Sequence, residues 1–229
     1  MPKDVVFVLH GIGKYDEQWM ADRSGAAPAL QEAATGYSHF QTSSLDRSVE
    51  FVPILYDDVF QRIMTTWSDM ASGLRASLPV MPKVVDETLT FLEGLDEDDW
   101  EKTHAADVLL YWGFRLFQQR VSLRVLHQIV GKIVATSVPG EPPPGYHILA
   151  HSLGTAVAAD ALHHLGTESW LTGLTARHLG DKDEDAREEQ QALAELIAQM
   201  EMNFGTSNPF HPTLFTFESI TMLSNVSGL

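Results

Sequence analysis

The stretch that most constrains this chain is GYHILAHSLGTAVAADAL, residues 145–162, where a short apolar run ends in a serine set between small residues and passes at once into an alanine-rich segment. Tyr146 to Ala150 reads as a buried strand, and residues 153–165 read as the helix after it. A serine in so tight a strand-to-helix turn must take a strained backbone conformation, and the residues two before and two after it must then be small to avoid clashing. Ala150 and Gly154 meet that need around Ser152. Serine is also a common helix N-cap, so the pattern alone is a weak signal. It gains force from its context of strand before, helix after, and a second motif near the amino terminus. The start of the helix also points partial positive charge at Ser152, which would help any oxyanion formed there.

The second motif is VVFVLHGIG, residues 5–13. Val5 to His10 is a continuous apolar and β-branched run, the pattern of a strand buried on both faces, and it is closed by Gly11-Ile12-Gly13. Phe51 to Tyr56 (FVPILY) is a further strand candidate; Pro53 cannot donate to a ladder, which places that strand further out or gives it a bulge. A last strand falls within residues 213–223, centred on Ser219 to Leu223. Strands alternating with helical segments imply an α/β fold with a mainly parallel sheet, whose ligands gather at the carboxyl ends of the strands.

Between these strands the chain reads as largely helical. Phe60, Ile63, Trp67, Met70 and Leu74 recur at alternating three and four, one face of a helix over residues 58–77 that Pro79 and Pro82 end. Further helices are expected over 84–95, 104–117 and 122–136, with Asp96 to Asp99 as a solvated turn. The helix over 122–136 is apolar almost all round except for Arg124, Gln128 and Lys132 at spacing four. Pro139 to Gly145 is a rigid loop into the next strand. Leu193, Leu196, Ile197, Met200 and Phe204 line one face of a late amphipathic helix, with Asp183 a candidate N-cap and Gly205 a stop. Residues 58–136 thus form a long helical insertion, a candidate cap. At least one of the segments 58–95 and 193–204 is expected to roof the cleft above Ser152, because they carry more apolar surface than the sheet faces need.

Composition bounds the function classes. With 229 residues, 44% of them hydrophobic, the chain can bury one sizeable core and reads as a single α/β domain. A formal charge of −16 repels nucleic acid and anionic membrane surfaces at long range. Without cysteine there is no thiolate metal site and no cysteine nucleophile. No apolar stretch approaches the ~18 residues of a membrane span, and the start resembles a core strand rather than a signal peptide; a soluble, cytoplasmic protein is the expectation. Gly11-Ile12-Gly13-Lys14 fails the spacing of a phosphate-binding loop. His163 and His164 point about 100° apart on a helix and cannot easily face one metal. Neither cofactor nor metal is expected.

Through VVFVLHGIG and HILAHSLGT, in that order, the chain resembles the α/β-hydrolase superfamily, particularly its lipase- and esterase-like members. The resemblance spans the scaffold from residue 4 onward, but about twenty residues carry it. It implies an α/β-hydrolase fold in which Ser152 is the catalytic nucleophile, the backbone N–H groups of Ile12 and Leu153 form the oxyanion hole, and His10 and Gly11 shape the first turn. His151 sits beside the nucleophile in a supporting position. The implied activity is hydrolysis of a small-molecule acyl ester or lipid-like substrate.

The chain departs from the family in two ways. Alanine at 150 replaces the usual glycine, a tolerated small residue. More seriously, the family order is nucleophile, acid, histidine, and after Ser152 the histidines are His163, His164, His178 and His211, none of which follows the last strand. Three readings stay open: a sequence that is the amino-terminal part of a longer protein lacking the last strands here, which is favoured; an incomplete triad; or a histidine arriving from an unexpected place. Asp57 and Asp58, at a strand's carboxyl end, are helix caps first and alternative acids second. A non-catalytic binding module and an acyltransferase or thioesterase are the rival functions.

Overall fold

Val5, Phe7 and Leu9 alternate inward along the first strand, β1 (Asp4–Leu9), and all three are buried. In the computed structural model the described residues are 3–11, 19–20, 26–37, 45–78, 80–94, 111, 113–165, 184–207 and 216–223. After β1 come α1 (Ala26–Ala34), the short α2 (Leu45–Ser48), β2 (Val49–Ile54), α3 (Asp57–Ser77) and α4 (Lys83–Glu93). The long α5 (Arg115–Thr136) follows, then β3 (Gly145–His151), α6 (Leu153–Leu165), α7 (Glu184–Phe204) and β4 (Thr216–Leu223). The candidate N-cap Asp183 and residues 95–110, with most of the helix expected over 104–117, lie outside the described residues.

The four strands form one all-parallel sheet in the order β2-β1-β3-β4. The fold is therefore α/β, a parallel sheet flanked by helices. β2 is an edge of this sheet, and Pro53 pairs with Val8 in an unbroken register, which answers the expectation for that proline without a bulge: an edge strand needs donors on one side only. The irregularity falls instead between β3 and β4, where Tyr146 opposes Phe217 but His147 opposes Ser219. The chain moves from β1 outward to β2, then returns to the other side of β1 for β3 and on to β4. The crevice between the carboxyl ends of β1 and β3 is thus a topological switch point, the place where open parallel sheets bind ligands.

One face of the sheet packs on α5 and α6. Phe7, Ile54, Tyr146, Ile148 and Ala150 meet Val121, Leu126, Ile129 and Ile133 of α5 and Val157 and Ala161 of α6 in one buried cluster. Burying each large side chain of this kind contributes about 1.5–3 kcal/mol. The polar stripe of α5 ties that helix to the β2 edge: Lys132 pairs with Glu50 at 2.6 Å, Gln128 bonds the amide and carbonyl of Leu55 at 3.0 and 2.7 Å, and Arg124 pairs with Asp58.

Helix α7 lies along α5 rather than above the cleft, a correction to any roofing role for residues 193–204. Glu189 joins Arg120 and Arg124 while Leu196 reaches Gly131, so the two helices run side by side in the same direction. Gly205, at φ 70, ends α7 as its position predicts. The apolar stripe of α3 also differs from a uniform core face. Phe60 is buried against Phe117, Trp67 packs edge-on against Phe114 with ring centres 4.9 Å apart, and Met70 and Leu74 are exposed. Because α5 climbs the sheet from Lys132 at Glu50 to Arg124 at Asp58, Phe117 and Phe114 stand beyond the carboxyl edge. The antiparallel α3/α4 hairpin therefore leaves the body on that side.

Candidate active site

Ser152 occupies the single residue between β3 and α6 and has φ 54, the only non-glycine residue at positive φ among the described residues. A left-handed conformation costs an L-residue roughly 1–2 kcal/mol, so it persists only where the surroundings hold it. Those surroundings are explicit. The Ser152 amide donates to the Leu223 carbonyl of β4 at 2.8 Å, and its carbonyl accepts from the amide and the hydroxyl of Thr155 at 2.9 and 2.7 Å. Ala150, before the turn, is fully buried.

The end of β1 closes on this turn from the other side. A methyl group placed on Gly154 would run into the carbonyl oxygens of His10 and, at 2.8 Å, of Leu9. One on Gly11 would stand 2.9 Å from Ser152 Cβ and 3.2 Å from His151 Nδ1. Gly154, expected to be small, and Gly11, expected to shape the first turn, are thus where the two segments meet. Leu153, buried at the first position of α6, presents an N–H that has no acceptor one turn back. Ile12, the other expected amide donor, lies outside the described residues.

His10 is buried and faces away from any free role as a base. Its ring stacks on Tyr56 with centres 4.3 Å apart and meets Trp19 edge-on; Nδ1 lies 2.8 Å from the Gly11 carbonyl, and Nε2 lies 3.5 Å from Asp57 Oδ2. The Tyr56 hydroxyl donates to the His10 carbonyl. Burial pulls the imidazole pKa down to about 4, against the opposing effect of its bond to the Gly11 carbonyl. A neutral, stacked His10 fixes the turn that carries Gly11. His151 is exposed beside Gly11, at the mouth of the crevice.

Of the two aspartates, Asp57 approaches His10, whereas Asp58 is engaged by Arg62 and Arg124. Among the described residues no side chain accepts a hydrogen bond from the Ser152 hydroxyl. His163 is on the exposed side of α6; His178, His211 and the side chain of His164 lie outside the described residues. Among the described residues no three His, Asp or Glu side chains are grouped to hold a metal ion, and no helix is long and apolar enough to cross a membrane.

Two neighbours of the site are not legible in the sequence. Leu223 holds the Ser152 amide, a role set by sheet register alone. Tyr111 donates to Asp160 of α6 at 2.6 Å and is buried, and burial and that carboxylate together push its phenol far above the ordinary range. It clasps the helix that Ser152 begins. No protein family, curated protein or solved structure matches the chain.

Proposed function

We propose that the chain is a serine hydrolase of the α/β-hydrolase type, acting on carboxylic esters of small-molecule or lipid-like substrates. The observation that carries this reading is the strained Ser152 at the topological switch point, held between the Leu223 carbonyl and the Gly11 and Gly154 contacts. A left-handed serine at that place has a cost to stability and no packing gain, which is the pattern of a residue kept for its hydroxyl.

In this mechanism Ser152 Oγ attacks the acyl carbonyl carbon, its proton passes to a general base and on to the leaving alkoxide, and a water then attacks the acyl-enzyme, releasing the carboxylic acid and returning the proton to Ser152. The developing oxyanion is held by the Leu153 N–H and, by resemblance, by that of Ile12. Each such donor is typically worth about 3–4 kcal/mol. The partial positive charge at the start of α6 acts in the same direction. The base is not assigned: His10, the buried histidine nearest in sequence to the first turn, has its ring committed to Tyr56, Gly11 and Asp57.

That commitment favours one second reading, a module that keeps the elbow and binds ligands in the crevice without turnover. Acyl transfer and thioester hydrolysis use the same residues as ester hydrolysis. Pre-steady-state mixing with p-nitrophenyl acetate separates these covalent readings from the binding module. A nitrophenolate burst that disappears in Ser152→Ala supports the covalent mechanism, and no release above buffer from any ester or thioester leaves the binding module.

A further inference from the structure

We infer that His151 is the general base for Ser152, taking its proton through one water molecule. This rests on the hydrolase reading of Ser152 and names the group which that reading leaves open. The strand pattern sets the direction of the ring. Tyr146, Ile148 and Ala150 of β3 are buried in the cluster with α5 and α6, so His151, next in the alternation, turns to the opposite face of the sheet. It is exposed at the carboxyl end of the strand, and among the described residues no hydrogen bond or ion pair engages its ring.

Gly11 measures how near that ring is to the serine. A methyl group built on Gly11 would stand 2.9 Å from Ser152 Cβ and 3.2 Å from His151 Nδ1. Cβ and Nδ1 are therefore at most about 6 Å apart, and since Oγ rotates about Cβ, one water spans from the hydroxyl to the imidazole. Residue 11 has no side chain to stand between them. The turn is also held in place: the Ser152 amide donates to the carbonyl of Leu223, the residue opposite His151 in the β3–β4 ladder.

The other described histidines are placed elsewhere. His10 is buried and stacked on Tyr56. His147 lies four residues back along β3, about 13 Å away, with Nδ1 2.8 Å from Ser219 Oγ. His127 is on α5, and His163 is on the exposed side of α6.

The proton balance follows from this placement. As Ser152 Oγ bonds to the acyl carbon, the bridging water gives a proton to Nδ1 and takes that of the hydroxyl. The imidazolium returns a proton to the alkoxide as the ester C–O bond breaks. In deacylation the same nitrogen takes a proton from the attacking water and returns it to Ser152 as the bond from Oγ to the acyl carbon breaks.

Stopped-flow mixing of the full chain with p-nitrophenyl acetate tests the assignment. The expected result is a Ser152-dependent nitrophenolate burst whose rate falls at least about 100-fold in His151→Gln, with an unchanged urea midpoint. Imidazole added to His151→Ala should restore the burst, and the same imidazole added to H151A/S152A should not. His163→Gln should burst like the parent. A burst that His151→Gln leaves at the parent rate overturns this inference and leaves the hydrolase reading standing. A loss that imidazole does not restore in His151→Ala gives His151 a structural role and overturns it too. No burst and no fluorophosphonate adduct on the parent overturn both.

Discussion

Gly154 lies with its Cα against the backbone of His10, so near that a methyl group would collide with the His10 carbonyl oxygen and sit 2.8 Å from that of Leu9. Both obstacles are main chain at the carboxyl end of a central strand, which cannot give way as a flexible side chain would. Gly154→Ala should therefore destabilise the protein by about 3 kcal/mol or leave it unfolded, read as the urea midpoint. A midpoint within experimental error of the parent would mean that β1 and α6 are not in this contact.

Gly11→Ala makes a milder clash, 2.9 Å from Ser152 Cβ, and its expected signature is different. Ser152 or its turn must shift by tenths of an ångström while the core stays intact. Ester turnover should fall at least tenfold with a stability loss of only about 1 kcal/mol.

Backbone strain at Ser152 can be read without any substrate. Ser152→Gly and Ser152→Ala both remove the hydroxyl, but only glycine accepts φ 54 at no steric cost. Ser152→Gly is expected to be more stable than Ser152→Ala by about 1 kcal/mol. Equal stability would remove the strain from the account.

His10 predicts a pH dependence. Its folded pKa of about 4 lies below the ordinary 6.5, so between those values the unfolded chain binds a proton that the folded chain refuses. Stability then rises with pH: the contribution is complete above pH 6.5 and is lost as pH falls toward 4. The full span is about 3 kcal/mol. His10→Gln should flatten this slope in urea titrations across the window, while the parent keeps it.

Glu189 holds two arginines. Arg120 is buried and Arg124 half-buried, and both pair with it. Glu189→Ala removes the carboxylate that joins Arg120 and Arg124 to α7 and should cost about 2 kcal/mol, with α7 loosened from α5 and faster amide exchange in both helices.

The parts of the fold legible in the sequence were those with local signatures. β1 and β3 announce themselves as short buried runs closed by small residues, and α6 begins where the serine turn requires. What stayed hidden depends on pairing at long range. Arg124, Gln128 and Lys132 read only as a polar stripe, yet each finds a partner in or just beyond β2 because α5 lies along that edge. The stripe of α3 has the same period in a core helix and in a projecting hairpin, so sequence could not tell Phe60, which is buried, from Met70, which is not. The approach of Asp57 to His10 follows from β1 pairing with β2 in a particular register. The residues around Ser152 were legible because steric demand leaves few choices there, and its base was not, because a base needs only proximity.

Covalent labelling reads the nucleophilicity of Ser152 itself. The full chain is incubated with a fluorophosphonate, and intact-mass spectrometry followed by peptide mapping reads the adduct. A single adduct is expected on the peptide containing Ser152, absent from Ser152→Ala and strongly reduced in Gly11→Ala. No adduct on the parent, or an adduct that persists in Ser152→Ala, would contradict it.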